Sequence, residues 1–337
     1  MRLSDLKQIV RSEKYKVISF DIFDTLLVRP CLEPTDIFKI VAARCGFGDE
    51  FIEYRKIAEK LAREGKAYYE DDITIDDIYT ELEHSFNIEK IKCEKIKNIE
   101  IAVEKEYLYP KYSMREVFNE AKNAKKTIII CSDMYLPKEV LYDVLVKNGY
   151  NGFEHLFVSG DLKLSKGTGR LYEYVKKLYS DKGIKAEEIL HIGDNHHADV
   201  AKPKSKGIDA IRIVNSRDRF KMITGLNAIQ YFDVNFTDNR FIIGFIINKI
   251  FDDPCRPFDL KSYFNGEINI FTDLIFTPIL YTFTKWMIED CVRNDIKSLY
   301  LVYRDGYLIN HIIDIIKLQY DHIPEIKVVR LSRKALY

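Results

Sequence analysis

The chain has 337 residues, which at about 150 residues per domain corresponds to roughly two domains. Hydrophobic residues make up 47 % of it, enough for a buried core and an argument against disorder. The 52 Lys and Arg residues balance 52 Asp and Glu residues, so the formal net charge is zero and no global field draws the chain to nucleic acid or to an anionic membrane.

The first 16 residues lack the apolar core of a signal peptide. The most apolar run, Phe241 to Ile247, ends at Asn248 and Lys249, far short of the about 20 residues a spanning helix needs. No membrane insertion is expected. Cys31, Cys45, Cys93, Cys131, Cys255 and Cys291 form no C-x-x-C pair and lie far apart. That excludes a zinc knuckle or disulfide framework and points to a reducing, cytoplasmic setting.

Lys16 to Phe20 is a short apolar run ending at Asp21, the pattern of a buried strand followed by a functional turn. Beyond Pro30 the pattern turns helical. Thr35-Asp36 is placed to cap a helix carrying Ile37, Val41 and Cys45 on one face. Asp49 begins a second, with Phe51, Ile57, Ala58 and Leu61 as its apolar side, and Thr74 to Asp77 caps a third through Ile78 and Leu82. Ile88, Ile91, Ile99 and Val103 recur at helical spacing up to Tyr107, with Lys and Glu alternating on the other face. Residues 31–109 therefore read as a helical insertion.

Strand and helix then alternate. Thr127 to Cys131 is a strand ending in Ser132-Asp133, and Pro137 opens a helix that stops near Gly149. His155 to Ser159 is a strand, Leu171 to Leu178 a helix, Glu188 to Ile192 a strand ending in Gly193-Asp194, and Ala210 to Val214 another strand. Alternating βα units predict an α/β fold with a doubly wound parallel sheet. They put Asp21, Ser132 and Asp194 at the carboxyl ends of strands, where open sheets bind ligands. After about residue 215 the pattern restarts. Helices are expected over Phe241 to Phe251 and Phe271 to Val292, a strand over Ser298 to Tyr303, a helix over Tyr307 to Leu318 and a strand over Ile326 to Leu331. The expected organisation is a core made of residues 1–30 and 110–215, a helical cap at 31–109, and a C-terminal α/β region at 216–337, either packed on the first domain or a truncated second unit.

A carboxylate at the end of a buried strand is costly unless a cation or a set of backbone N–H groups compensates it. Asp194 and Asp199 add two carboxylates five residues apart on a turn leading into a helix. With Asp21 they suit Mg²⁺, which takes oxygen ligands octahedrally and keeps several waters. Ser132 can hydrogen-bond a phosphoryl oxygen and Lys166, preferred over Lys163, can neutralise phosphate charge. Asp133 reads first as a turn former and second as a substrate contact. His196 and His197 read as surface loop residues, His191 as a satisfied core histidine, and Asp305 as part of a glycine turn.

The segments FDIFDTLL, IIICSD, Lys166 and IGDNHHAD, in that order, resemble the motifs of the haloacid dehalogenase (HAD) superfamily of Mg²⁺-dependent phosphatases and related enzymes. The resemblance spans residues 16 to about 214 and implies a HAD-like, Rossmann-like core with the insertion as its cap. It implies Asp21 as the nucleophile that takes the phosphoryl group as an aspartyl-phosphate. The Phe23 carbonyl, Asp21, Asp194 and Asp199 would be metal ligands, Asp199 directly or through water. Ser132 and Lys166 would hold the phosphoryl oxygens.

One position departs from the pattern. Phosphatases of this superfamily usually carry an acid/base Asp two residues after the nucleophile, where this chain has Phe23. Loss of a proton donor costs about 10²–10⁴-fold in rate. Asp24, at a position often held by Gly, is the candidate substitute, and Arg29 is a candidate to hold an anionic substrate under the cap. The dehalogenase branch is also non-acidic there but needs no metal, so Asp194 and Asp199 favour phosphate chemistry. The segments LVYRDGYLI and VVRLSRKA are similar to the second half of bacterial proteins that couple such a domain to polysaccharide or glycosyltransferase loci. That similarity implies a sugar-phosphate or glycan-related substrate by analogy. The expected function is a cytoplasmic Mg²⁺-dependent phosphatase of a small phosphorylated metabolite. The alternatives are a binding or scaffold module whose chemistry is lost at Phe23, and a 2-haloacid hydrolase.

Overall fold

The computed structural model describes residues 1–224, 237–257 and 266–330. The chain divides into two compact units, Met1–Phe258 and Asp259–Tyr337. In chain order the strands of the first are β1 (Val17–Phe20), β2 (Leu27–Val28), β3 (Tyr109–Pro110), β4 (Thr127–Ser132), β5 (His155–Val158), β6 (Ile189–Gly193) and β7 (Asp209–Arg212).

Five of these form one parallel sheet in the order β5-β4-β1-β6-β7. Every residue of β1 is buried, as expected for a central strand covered by helices on both faces. Its register sets Phe20 beside Ile130 of β4 and Ile192 of β6. The strands after β1 add first on one side and then on the other, so the order reverses at β1. Ligands bind at such switch points.

The helical insertion leaves and re-enters the core through a two-stranded neck. Leu27 pairs with Pro110 and Val28 with Tyr109, antiparallel. The buried hydroxyl of Tyr150 ties this neck down by donating to the carbonyls of Leu26 (2.7 Å) and Lys111 (3.1 Å). Four helices follow β2: Ile37–Cys45, Glu50–Gly65, Ile75–Phe86 and Lys90–Tyr107. Thr74 caps the third in a capping box with Asp77, as its sequence spacing suggests. Asp36 does not cap the first through its side chain. Its buried carboxylate instead accepts the Glu33 N–H and an Arg240 N–H. The apolar stripe also lies off the predicted one. Ile57 and Ile91 are exposed, whereas Phe51, Ile52, Arg55, Ala58 and Ala62 form the buried face of their helix. An arginine sits among them, and hydrophobic periodicity does not register it.

Residues 213–224 and 237–257 belong to the first unit. The helix Thr237–Ile250 runs so close to the chain at Cys31 that a Cβ on Gly244 would lie 2.2 Å from the Cys31 carbonyl carbon. Asn248 donates to the Arg29 carbonyl (2.7 Å), and Asp252 accepts the N–H groups of Tyr112 and Ser113 (2.8 Å each).

The second unit contains the helices Ile268–Phe271, Thr277–Arg293 and Asp305–Ile316 and a parallel pair, β8 (Ser298–Val302) and β9 (Glu325–Val329). Ile288, Leu301, Ile313 and Ile316 form its core. Residues 331–335 of the VVRLSRKA segment, including the expected strand end at Leu331, lie outside the described residues. All six cysteines are free. No helix among the described residues is long and apolar enough to cross a membrane.

Candidate active site

The carboxyl ends of β1, β4 and β6 meet at one point of the sheet. Asp21 follows β1 and donates its N–H to the Ile192 carbonyl (2.9 Å), which fixes the turn against β6. Lys166 arrives on a loop that Asp133 holds in place. One Asp133 oxygen accepts the Lys166 N–H (2.7 Å), and the other accepts the Ser165 hydroxyl (2.9 Å) and the Gly167 N–H (3.1 Å). Asp133 is thus the anchor of the lysine loop. Lys163 points elsewhere, to Asp77 of the insertion (3.2 Å).

Lys166 is 3 % exposed, and its ammonium lies 2.5 Å from Asp21 Oδ1 and 2.7 Å from Asp199 Oδ1. Asp199 is fixed from three further directions. Its Oδ2 accepts the Asn195 N–H (2.9 Å), its Oδ1 lies 3.2 Å from His191 Nε2, and Gly193 leaves it room. A Cβ at Gly193 would fall 2.4 Å from the Asp199 carboxyl carbon. His191 is fully buried and its Nδ1 lies 2.7 Å from Ser19 Oγ, so the core-histidine reading holds. Its second contact, onto Asp199, was not legible from the strand pattern. Asp194, half-buried at the end of β6, accepts from Asn215 Nδ2 (3.0 Å).

Oxygens of Asp21, Asp194 and Asp199 lie within 4.8 Å of one another. Three carboxylates against one ammonium leave an excess of buried negative charge, and the protonation preferences record it. Burial pushes Asp21 well above the usual carboxylate range, with Lys166 opposing and Asp199 and Asp194 reinforcing. Burial and the nearby Asp24 push Asp194 up to about 6. Burial acts upward on Asp199 too, but Lys166 and His191 overcome it and hold its carboxyl well below the ordinary value. The donor set is all oxygen and anionic, which fits a hard divalent cation. Beside it, the Ser132 hydroxyl is fully buried and has no hydrogen-bond partner among the described residues. An orphaned buried hydroxyl at a strand end fits an anionic ligand's oxygen.

These features coincide with a family match. The profile of the haloacid dehalogenase-like hydrolases matches residues 15–202. The chain belongs to that family. No curated protein matches the sequence. Among solved structures, this HAD-like hydrolase is similar to the magnesium-bound HAD-hydrolase YfnB of Bacillus subtilis (18 % identity, 59 % of this chain and 86 % of that one, TM-score 0.42). It is also similar to the L-2-haloacid dehalogenase of Xanthobacter autotrophicus (12 %, 64 % and 85 %, 0.44). A third is a HAD family enzyme of Bacteroides thetaiotaomicron in complex with magnesium and inorganic phosphate (15 %, 60 % and 95 %, 0.41).

The remaining candidates sit around the turn after Asp21 and are engaged with other groups. Phe23 is half-buried, and the Arg29 guanidinium lies 4.5 Å from its ring centroid. Arg29 is also paired through Nη2 (2.8 Å) and Nε (3.0 Å) with the buried Glu104 of the insertion, not left open to solvent. Asp24 adopts φ +58°, which explains why glycine suits this position. Its Oδ2 accepts from Arg217 Nη2 (2.6 Å), and its carbonyl faces the Lys111 ammonium (3.4 Å). Burial holds Lys111 below its ordinary value. Asn215, Arg217 and Lys111 carry no motif. The signal available for Asn215 was its place just beyond β7, the strand-end rule that singles out Asp194. His196 and His197 are exposed.

Proposed function

We propose that this hydrolase is a Mg²⁺-dependent phosphatase that acts on a small phosphorylated metabolite through an aspartyl-phosphate on Asp21. The observation that supports it is the convergence of Asp21, Asp194 and Asp199 on one point, with Lys166 bridging two of them and an unpartnered Ser132 hydroxyl alongside. Asp21, Asp194, Asp199 and the Phe23 carbonyl would hold the cation, which supplies charge neutralisation between carboxylate and phosphate. Ser132 donates to a phosphoryl oxygen. Lys166 releases part of its hold on Asp21 to the incoming phosphate and keeps Asp199 as its counter-ion. Asp21 Oδ, fixed by its own N–H to β6, then stands in line for attack on phosphorus. Residues 31–109 serve as the cap that covers this point and excludes water. The analogy of the C-terminal segment to glycan-locus proteins makes sugar phosphates one class to assay, in a cytoplasmic setting.

The test is phosphate release from a panel of phosphate esters and anhydrides, with and without Mg²⁺. Wild type releases phosphate only with the cation, and Asp21→Asn is inactive with its fold unchanged by circular dichroism. Equal activity of the two proteins refutes the assignment. A second reading, a binding module without turnover, draws on one observation: Phe23 stands at the acid/base position, and the neighbouring Asp24 is occupied by Arg217. Tight Mg²⁺ binding with no release from any donor would favour it.

A further inference from the structure

The turn that follows the nucleophile offers charge where a proton donor would be useful. Phe23 has no proton to give. Asp24 faces Arg217, and its carbonyl faces Lys111. Three further groups near Asp21 are committed: Lys166 to two carboxylates, Asp133 to three donors of the lysine loop, His191 to Ser19 and Asp199. Three cations surround residues 23 and 24: Arg29 over the ring, Lys111 at the carbonyl, and Arg217 at the carboxylate. Lys111 and Arg29 are buried or nearly so, while the Arg217 side chain is 30 % exposed. Arg217 stands two residues after Asn215, which bonds Asp194, and it holds Asp24, whose charge acts on the same Asp194 carboxyl, so both of its neighbours tie it to the carboxylate cluster. An arginine carries five N–H donors, and Asp24 Oδ2 and the Leu32 carbonyl take one each.

We infer that the phosphoryl donors of this enzyme are those whose leaving group departs as a stable anion, an acyl phosphate or a phosphoanhydride, and that Arg217 receives that anion. The inference rests on the phosphatase reading and narrows its substrate class. In the first step an Asp21 oxygen forms a bond to phosphorus. The bond from phosphorus to the leaving oxygen breaks, and its electron pair leaves with a carboxylate or phosphate oxygen beside Arg217. No proton is transferred. In the second step water attacks phosphorus, the bond to Asp21 breaks and the carboxylate is restored, and the water proton passes through the phosphate oxygens to solvent. An alkoxide leaving group needs a proton in the first step; the position two residues after Asp21 is Phe23, which has none to give, and the neighbouring Asp24 is held by Arg217. A fixed guanidinium stabilises charge without delivering a proton.

The full chain with Mg²⁺ is assayed on acetyl phosphate, pyrophosphate, nitrophenyl phosphate, phenyl phosphate and glycerol phosphate. The expected kcat/KM falls steeply with the basicity of the leaving group, by about 10²-fold or more from acetyl phosphate to glycerol phosphate. Phe23→Asp flattens that dependence and raises the glycerol phosphate value by about tenfold or more. Arg217→Met lowers kcat/KM for acetyl phosphate by about tenfold, and Arg217→Lys, which keeps the charge, restores most of it. Acetyl phosphate against pyrophosphate separates the acyl from the anhydride source. Acetyl and glycerol phosphates turned over within about threefold of each other overturn the inference and leave the phosphatase reading standing. Release from no donor overturns both. Unchanged acetyl phosphate turnover in a folded Arg217→Met protein removes Arg217 from the role.

Discussion

Lys166 and Asp199 form a buried ion pair, Nζ to Oδ1 2.7 Å, and the same ammonium lies 2.5 Å from Asp21. One cation is thus shared between the candidate nucleophile and a carboxylate of the helical turn His196–Ala201. Removing one partner of a buried pair leaves the other uncompensated, at a cost of about 3–5 kcal/mol. Lys166→Met is expected to lose that much stability in urea unfolding. Asp199→Asn in the Lys166→Met background should recover part of it, because the stranded charge is gone. Additive losses in the double variant would mean that the two side chains do not interact.

Asp194 ties stability to pH. Its carboxyl is pushed up to about 6 from an ordinary 3.8, so the folded protein holds this proton more tightly than the unfolded chain does. The stabilisation is complete below about pH 4 and is lost as pH rises through about 6, a change of about 3 kcal/mol. Asp199 acts in the opposite sense. Its carboxyl is held well below the ordinary value, so its contribution is present above about pH 4 and lost on acidification. Melting temperature without added metal is therefore expected to fall from about pH 5 to about pH 7. Mg²⁺ competes with the proton for Asp194, so the fall shrinks with millimolar Mg²⁺, and Mg²⁺ affinity by calorimetry rises over the same interval. A metal-free melting temperature that climbs through it would contradict the placement of Asp194.

The candidate site was legible to the extent that its residues obey a rule that sequence can display. Asp21, Ser132 and Asp194 each close an apolar run, and buried strands end where such runs end. Lys166 was readable only as a loop cation able to neutralise phosphate, and the resemblance added its place in the motif order, since a loop lysine has no periodicity. What stayed hidden has a common cause. Arg55, Asp36 and Lys111 are polar residues buried by a partner distant in sequence, and hydrophobic patterning reads them as solvent-facing. The same limit hid the place of residues 237–257 in the first unit. The helical period of Phe241 to Phe251 was readable, but the partner of its face was not, and Gly244 against Cys31 decides it.

Arg55 shows how such a residue holds the insertion together. It and Glu100 are both fully buried and joined by two parallel bonds of 2.8 Å, with the Tyr79 hydroxyl donating a third to the same carboxylate. Its guanidinium lies 4.7 Å from the Phe38 ring and 4.9 Å from the ring of Tyr135, which follows β4. The insertion and the loop after Ser132 thus share one cation. Arg55→Met is expected to destabilise the protein by about 3–5 kcal/mol, and Arg55→Met with Glu100→Leu by markedly less, since well-packed apolar residues can replace a buried pair at little net cost. Urea unfolding of both variants measures the difference. A double variant no more stable than Arg55→Met would show that the pair is not the unit of stability.

Ser132 separates function from stability in the opposite way. Its hydroxyl is fully buried with no partner among the described residues. A buried hydroxyl left unsatisfied costs about 1–3 kcal/mol, so the fold loses nothing when it is removed. Ser132→Ala should hold or raise the unfolding free energy, by up to about 1 kcal/mol. If the hydroxyl donates to a phosphoryl oxygen, the same change removes a hydrogen bond to a charged group, about 1.5–3 kcal/mol. Binding of inorganic phosphate in the presence of Mg²⁺, followed by calorimetry, should then weaken by about tenfold or more. Lost stability with unchanged phosphate affinity would assign the hydroxyl to the fold. A gain in stability paired with weaker phosphate binding is the signature of a group kept strained for its ligand.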